Sequence, residues 1–249
     1  MLATGGYFRL NPWHVMAEVV HRHGMKVYAS MDDSRIGTLP TPFHPYGYLP
    51  GRNESMFSAA RIAEAMSEGM DGIFFFNTQM HWLHEYASID PLATEGLDKE
   101  YFAAERGSGG DLPWNYVYDG GRYSNYCQID PWRPPEVCPG GSYSFTISVG
   151  DDFGSSVAKA RAPKATALAM MNYTEPADVR LNVNGLVLKS ADFTSDNATN
   201  GVFSFDVPVA CLRRGPNDFR LMAPSDKIPE NAEGKILFVD FKLRVKYQN

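Results

Sequence analysis

The chain has 249 residues, 44% of them hydrophobic and 21% charged, with a net charge of −6. That is globular composition, long enough for one large domain or two moderate ones. The negative balance makes nucleic-acid backbones and anionic membranes poor partners, and no apolar run reaches the roughly 20 residues that span a bilayer.

The opening "MLATGGYFRLNPWH" lacks the basic start and apolar middle of a signal peptide. Cys127, Cys138 and Cys211 form an odd set without metal-type spacing, although the first two could pair. Asn53, Asn172 and Asn197 each open an N-x-Ser/Thr sequon, which matters only in a source that glycosylates. Thirteen tyrosines, fifteen phenylalanines and four tryptophans suit a carbohydrate cleft, but equally a core or an interface.

Residues 1–106 read as alternating helices and buried strands. Asn11-Pro12 predicts a helix start, with Asn as cap and Pro in the first turn. Val15, Met16, Val19 and Val20 follow at helical spacing, and Gly24 stops the helix. "MKVYAS" is a short apolar strand that exits at Asp32 and Asp33, and a proline- and aromatic-rich loop follows to Gly51. Asn53 caps a second helix with Met56, Ala59, Ala60, Ala63 and Met66 on its apolar face. Gly69 stops it, and "GIFFFN" is the next strand.

The two units echo one another: "HRHGMKVYASMD" against "MSEGMDGIFFFN". A repeated helix-to-strand unit of about 45 residues signals parallel α/β architecture, whose strands are covered on both faces and read as continuous apolar runs. Two clear strands and a stub at "MLATGGYF" fall well short of a closed (β/α)₈ barrel, which needs about 250 residues. Residues 90–107, "DPLATEGLDKEYFAAERG", read as further helix, with Leu92, Leu97, Tyr101 and Phe102 packing back.

Residues 107–142 are rich in Gly, Pro, Tyr and Trp without a period, an irregular connector packed through its aromatics. From residue 143 to 249 the period becomes two. "YSFTISVG", "ATALAMMN", "DVRLNVNG", "VFSFDVPV", "DFRLMA" and "ILFVDFKLRVKY" predict strands of an antiparallel β-sandwich, jelly-roll-like. Asn184-Gly185 fits a tight hairpin turn. In the last strand Leu237, Val239, Phe241, Leu243 and Val245 are expected inside, with Asp240, Lys242 and Arg244 facing mostly outward. The expected fold class is therefore α/β plus all-β, a partial (β/α) barrel segment followed by a sandwich.

This order resembles bacterial family-10-like glycosyl hydrolase-like proteins. The resemblance is carried by "RNESMFSAARIAEAMSEGMDGIFFFN" (52–77), by residues 90–107, and by "VRLNVNGLVL" and "CLRRGPNDFRL". It implies the last helix and strand of a (β/α)₈ barrel, its closing helix, and an appended sandwich. It also implies glycosidic-bond hydrolysis, a carbohydrate substrate and export of full-length relatives. The family's N-terminal barrel portion has no counterpart here, so the strand bearing Phe74 to Phe76 is expected to find cover in that portion or in a second copy of the chain.

In such a barrel reactive groups sit at the carboxyl ends of strands. If "MKVYAS" is the seventh strand, the resemblance puts Asp32 or Asp33 where related hydrolases keep a nucleophile or base; the alternative is a turn, or a pair with Arg35. Glu54 is a third candidate carboxylate, although a Glu in a first helical turn also simply complements the helix dipole. Arg52 can clamp a sugar hydroxyl or a neighbouring Asp. Asn77, His81 and Trp82 leave the second strand on the ligand side.

Trp13, Trp82 and the loop with His44 can form a sugar-stacking platform or cover an open barrel side. The histidines lack an i, i+4 pair, and no Asp, Glu or Cys cluster completes a metal set. With no phosphate loop, nucleophile elbow or Cys/His nucleophile pair, no cofactor or metal is expected. The alternative to an enzyme is a non-catalytic carbohydrate-binding or assembly module.

Overall fold

Two helix stops of the same kind organise the N-terminal half. The computed structural model describes residues 2–4, 13–32, 47, 49–51, 55–76, 89–103, 134–195, 199–229 and 234–248. Helix α1 (Trp13–Arg22) ends where Gly24, at φ +66°, donates to His21 and Met25 donates to Val20. Helix α2 (Ser55–Ser67) ends identically: Gly69, at φ +96°, donates to Met66 and Met70 donates to Ala65. The sequence echo is thus a repeated Schellman stop, in which a left-handed glycine turns the chain off the helix.

Strand β2 (Val27–Asp32) follows the first stop and β3 (Ile73–Phe76) the second. With β1 (Leu2–Thr4) they form a parallel sheet in the order β1-β2-β3. Asp71 pins the strand entries. Its carboxylate accepts from Val27 N (2.8 Å) and pairs with His21 Nε2 (2.9 Å), while its own N–H donates to Val27.

One face of this sheet, Val27, Ala29 and Met31, packs on Trp13, Ala17 and Val20 of α1 and on Ala65 of α2. The other carries Tyr28, Ser30 and Phe74. Phe74 remains 42% exposed, so the cover expected for both faces stops short there. Among the described residues the sheet is open, with no barrel closure.

The remaining strands form two antiparallel sheets: β4 (Lys99–Phe102), β5 (Glu136–Val137), β6 (Ser142–Val149), β7 (Lys164–Met171), β8 (Arg180–Val183), β9 (Leu186–Lys189), β10 (Asp192–Ser195), β11 (Gly201–Val207), β12 (Gly215–Met222) and β13 (Ile236–Lys246). One sheet runs β10-β11-β7-β13-β4, with β5 also on β13; the other runs β6-β12-β8-β9. They pack face to face. Phe241 of β13 meets Phe145 of β6 at 4.8 Å and Phe219 of β12 at 5.3 Å between ring centroids. Asn184 and Gly185 both take positive φ, 49° and 96°, and close the β8–β9 hairpin as a two-residue turn. Helix α3 (Ser156–Arg161), not anticipated, starts on the Ser155 side-chain cap.

Two expectations are corrected. The helix expected over residues 90–107 is absent from the described part, 90–103. Asp90 instead makes a turn, its Oδ1 accepting from Leu92 N, and residues 99–102 become β4 paired to β13. Pairing with an available sheet edge overrides the helical composition, and all four β4 side chains are buried.

The second correction concerns β13. Its register slips between Phe238 and Asp240. The bulge turns Phe238 into the sandwich core beside Phe241 and Leu243, while Val239 and Leu237 face α2. Asp240 and Lys242, expected outside, are 0% and 2% exposed. The cause is α2, which lies between the parallel sheet and the sandwich and is buried continuously from Phe57 to Ala65. Where its backbone passes the β6–α3 turn at Ala63, only a residue without a side chain fits, and that residue is Gly150.

Candidate functional site

At the carboxyl end of the parallel sheet, Asp32 closes β2 opposite Phe76 of β3. Parallel strands end side by side, so Asp32 stands at the sheet edge where β2 and β3 both terminate. Asp33, Arg35, His44, Arg52, Glu54, Asn77, His81 and Trp82 lie outside the described residues. Trp13 is described and is 2% exposed in the core beneath the sheet, which leaves its ring no face for a sugar.

His14 and His21 each approach one carboxylate, Glu68 at 3.4 Å and Asp71 at 2.9 Å. Among the described residues no group of three His, Cys, Asp or Glu is arranged to hold a metal. The sequon at Asn172 is closed: its Nδ2 donates to Lys235 O, its Oδ1 accepts from Leu237 N, and the residue is 4% exposed.

The polar residues that the fold does bring together lie where α2 meets the sandwich. Glu100 of β4 is fully buried and accepts from Lys242 Nζ (2.9 Å) and Arg244 Nε (2.6 Å) on β13. Lys242 also donates to Pro50 O at 2.7 Å and lies 5.3 Å over the Phe102 ring. Burial pushes its ammonium below the usual lysine range, against the opposing pull of Glu100. Asp240 accepts from Leu49 N at 2.7 Å. The sandwich thus holds the backbone at residues 49–51, just before α2.

A second buried set lies on the opposite face of β4, where Lys99 and Tyr101 alternate with Glu100. Asp151 accepts from Lys99 Nζ (2.7 Å), Tyr247 OH (2.8 Å) and Tyr101 OH (2.8 Å), and Tyr101 OH accepts from Gly150 N. Burial, then the Asp151 charge, pushes the Tyr101 and Tyr247 hydroxyls upward. Burial also lifts Tyr173 to about 12.

These shifts fix an alkaline prediction. A raised folded pKa gives stability that is complete below the unfolded value of about 10 and is lost as pH rises past it, at about 1.4 kcal/mol per unit for a tyrosine that stays protonated. Tyrosinate absorbance at 295 nm should therefore show these three hydroxyls ionising only together with loss of the fold.

Above the Lys99–Asp151 pair opens a cleft of about 330 Å³ between the end of α2, the 90–98 connector and the β6–α3 turn. Thr94, Glu95, Asp152, Ser155, Arg214 and the rim residue Leu92 supply its groups. A shallower depression of about 420 Å³ lies on the outer face of the four-stranded sheet at Ser144, Thr146, Asn182, Asp218 and Arg220. There Arg220 already donates to Ser142 Oγ, and Asp218 faces Arg213 at 3.6 Å.

None of these residues is a site candidate in the sequence. Asp240, Lys242 and Arg244 alternate with apolar neighbours as a solvent-facing row would, and nothing local reveals that α2 covers them.

No family model matches the chain, and no curated protein matches it. Among solved structures, BuGH86 in complex with neoagarooctaose is 19% identical over 47% of this chain, with a TM-score of 0.33. The chain spans 18% of that protein's length, and a substituted form of BuGH86 with the same ligand matches equally. The CBM36-1 domain of a multidomain xylanase from the hindgut metagenome of Trinervitermes trinervoides is 11% identical, with a TM-score of 0.25. That match covers 44% of this chain and 74% of the domain. No helix among the described residues is long and apolar enough to cross a membrane.

Proposed function

We propose that this chain is a glycoside-hydrolase-like carbohydrate-active protein, in which part of a (β/α) barrel is joined to a jelly-roll-like sandwich. The observation that supports the reading best is the parallel β1-β2-β3 sheet with Asp32 at the exit of β2. Hydrolysis of a glycosidic bond takes two carboxylates roughly 5–10 Å apart. Asp32 is one candidate; Asp33 and Glu54 are the others in this chain, with Arg35, His44, Arg52, Asn77, His81 and Trp82 as candidate substrate contacts. The half-exposed Phe74 and the sheet edges left open among the described residues call for cover by further β/α units or by a second copy.

A second reading is a non-catalytic carbohydrate-binding module. It is favoured by the contrast between a sandwich with its own closed core and a parallel sheet of only three strands among the described residues. Assay of the whole chain on a panel of polysaccharides, with Asp32→Asn and Asp33→Asn together, separates the two. The enzyme reading expects reducing ends to appear and to fall by at least about a hundredfold in the double variant. Glycan binding without any cleavage assigns the module instead, and cleavage unchanged in the double variant removes both aspartates from the mechanism.

A further inference from the structure

We infer that the cleft between α2, the 90–98 connector and the β6–α3 turn is a binding subsite for a neutral, hydroxyl-rich ligand, a saccharide unit. The inference deepens the carbohydrate reading, on which its choice of ligand rests, and it locates binding away from the carboxyl end of the parallel sheet.

The cleft is built rather than incidental. Its floor is a salt bridge whose two side chains, Lys99 and Asp151, are 1% and 0% exposed. Its outer wall is tied down along its length. Ala93 N donates to Asp90 O, Leu97 N to Thr94 O, Arg161 to Gly96 O at 2.6 Å, and Tyr247 N to Asp98 Oδ1 at 2.8 Å. A pre-formed concavity of this size falls within the range of small-molecule sites. The Asp90 turn that begins the wall leaves Leu92 85% exposed on the rim, the most exposed large apolar side chain among the described residues.

The lining sets the class of ligand. Lys99 and Asp151 cancel one another, so the floor presents neither sign of charge. A phosphate or carboxylate needs donors only, and an ammonium needs acceptors only. This cleft offers both: carboxylate acceptors on Glu95 and Asp152, hydroxyls on Thr94 and Ser155, and a guanidinium on Arg214. Asp152 uses Oδ1 on Gly154 N, and Ser155 Oγ accepts from Ala158 N. Glu95 and Arg214 make no ion pair or hydrogen bond among the described residues.

A sugar hydroxyl both donates and accepts, so vicinal hydroxyls match such a mixed set. The C–H face of the ring would lie on Leu92, Pro91 and Met66, which line the same cleft. The outer face of the four-stranded sheet has fewer unspent groups, since Arg220 and Asp218 are already engaged there.

The test is titration of the whole chain with cellohexaose, xylohexaose and neoagarohexaose, followed by calorimetry and by saturation-transfer NMR. At least one should bind, and Glu95→Ala, Arg214→Ala and Leu92→Ser should each weaken that binding at least about tenfold. Arg220→Ala, on the other sheet face, should leave it unchanged. All four positions are exposed, and an unaltered melting temperature verifies that each variant is folded.

Binding that survives the three cleft variants overturns the subsite and leaves the carbohydrate reading standing. Failure of all three oligosaccharides to bind at millimolar concentration overturns both. Inorganic phosphate or lysine methyl ester binding through the same residues overturns the neutral class.

Discussion

Asp151→Ala should lower the unfolding free energy by about 3–5 kcal/mol, the cost of leaving one partner of a buried ion pair uncompensated. The lysine it would abandon is 1% exposed and has no route to water. Lys99 Nζ keeps only the carbonyl of Leu97, at 2.9 Å, and the Tyr247 ring, 5.4 Å away. Two phenol hydroxyls lose their acceptor in the same step, because Tyr101 and Tyr247 both donate to Asp151. Each buried polar group left unpaired costs about 1–3 kcal/mol, although such losses do not simply add within one network.

Asp151→Asn keeps an acceptor and removes the charge, so its cost should fall between wild type and Asp151→Ala. Urea denaturation with both variants checks the order. Equal midpoints for wild type and Asp151→Ala would show that the carboxylate does not hold the C-terminal strand, β4 and the β6–α3 turn together.

Glu100→Ala should cost a similar amount, about 3–5 kcal/mol, for a related reason on the opposite face of β4. Lys242 is 2% exposed and would retain only the Pro50 carbonyl and the face of the Phe102 ring. Arg244 suffers less, because its side chain is 34% exposed and reaches water. Replacing both buried partners, Glu100→Leu with Lys242→Met, removes the uncompensated charge and should recover most of the loss. Buried ion pairs exchanged for apolar residues of similar volume are often neutral.

The double variant also tests what the pair is for. If Lys242 holds residues 49–51 against the sandwich, amide hydrogen exchange at Leu49 and Gly51 should rise in the double variant even where global stability has recovered. Recovered stability with unchanged exchange there would mean that Asp240, through Leu49 N, suffices to hold the segment.

How far the sequence led differs from one part of the chain to the next. The two Schellman stops at Gly24 and Gly69, the parallel strands after them and the Asn184-Gly185 hairpin were all legible, because each depends on local backbone geometry. So were most sandwich strands, whose period of two is written in consecutive residues. Residues 90–103 were misread as helix because Leu92, Leu97 and Tyr101 fall near helical spacing, while the partner that makes β4 a strand lies some 140 residues later. Of the candidate site, only the exit of β2 at Asp32 could be placed, and Trp13, proposed as a sugar platform, is core.

The sequence by itself determined which segments are helix stops, hairpins and alternating strands, since those follow from φ preferences and side-chain period within a few residues. Only the tertiary structure decided which alternating face meets water. Asp240, Lys242 and Glu100 look like surface charges along the chain, and they are buried because α2 is laid across them, a long-range packing that no local period records. The cleft over Lys99 and Asp151 is of the same kind. Its groups come from residues 63 to 214 and share a site only once the α/β layer has closed onto the sandwich.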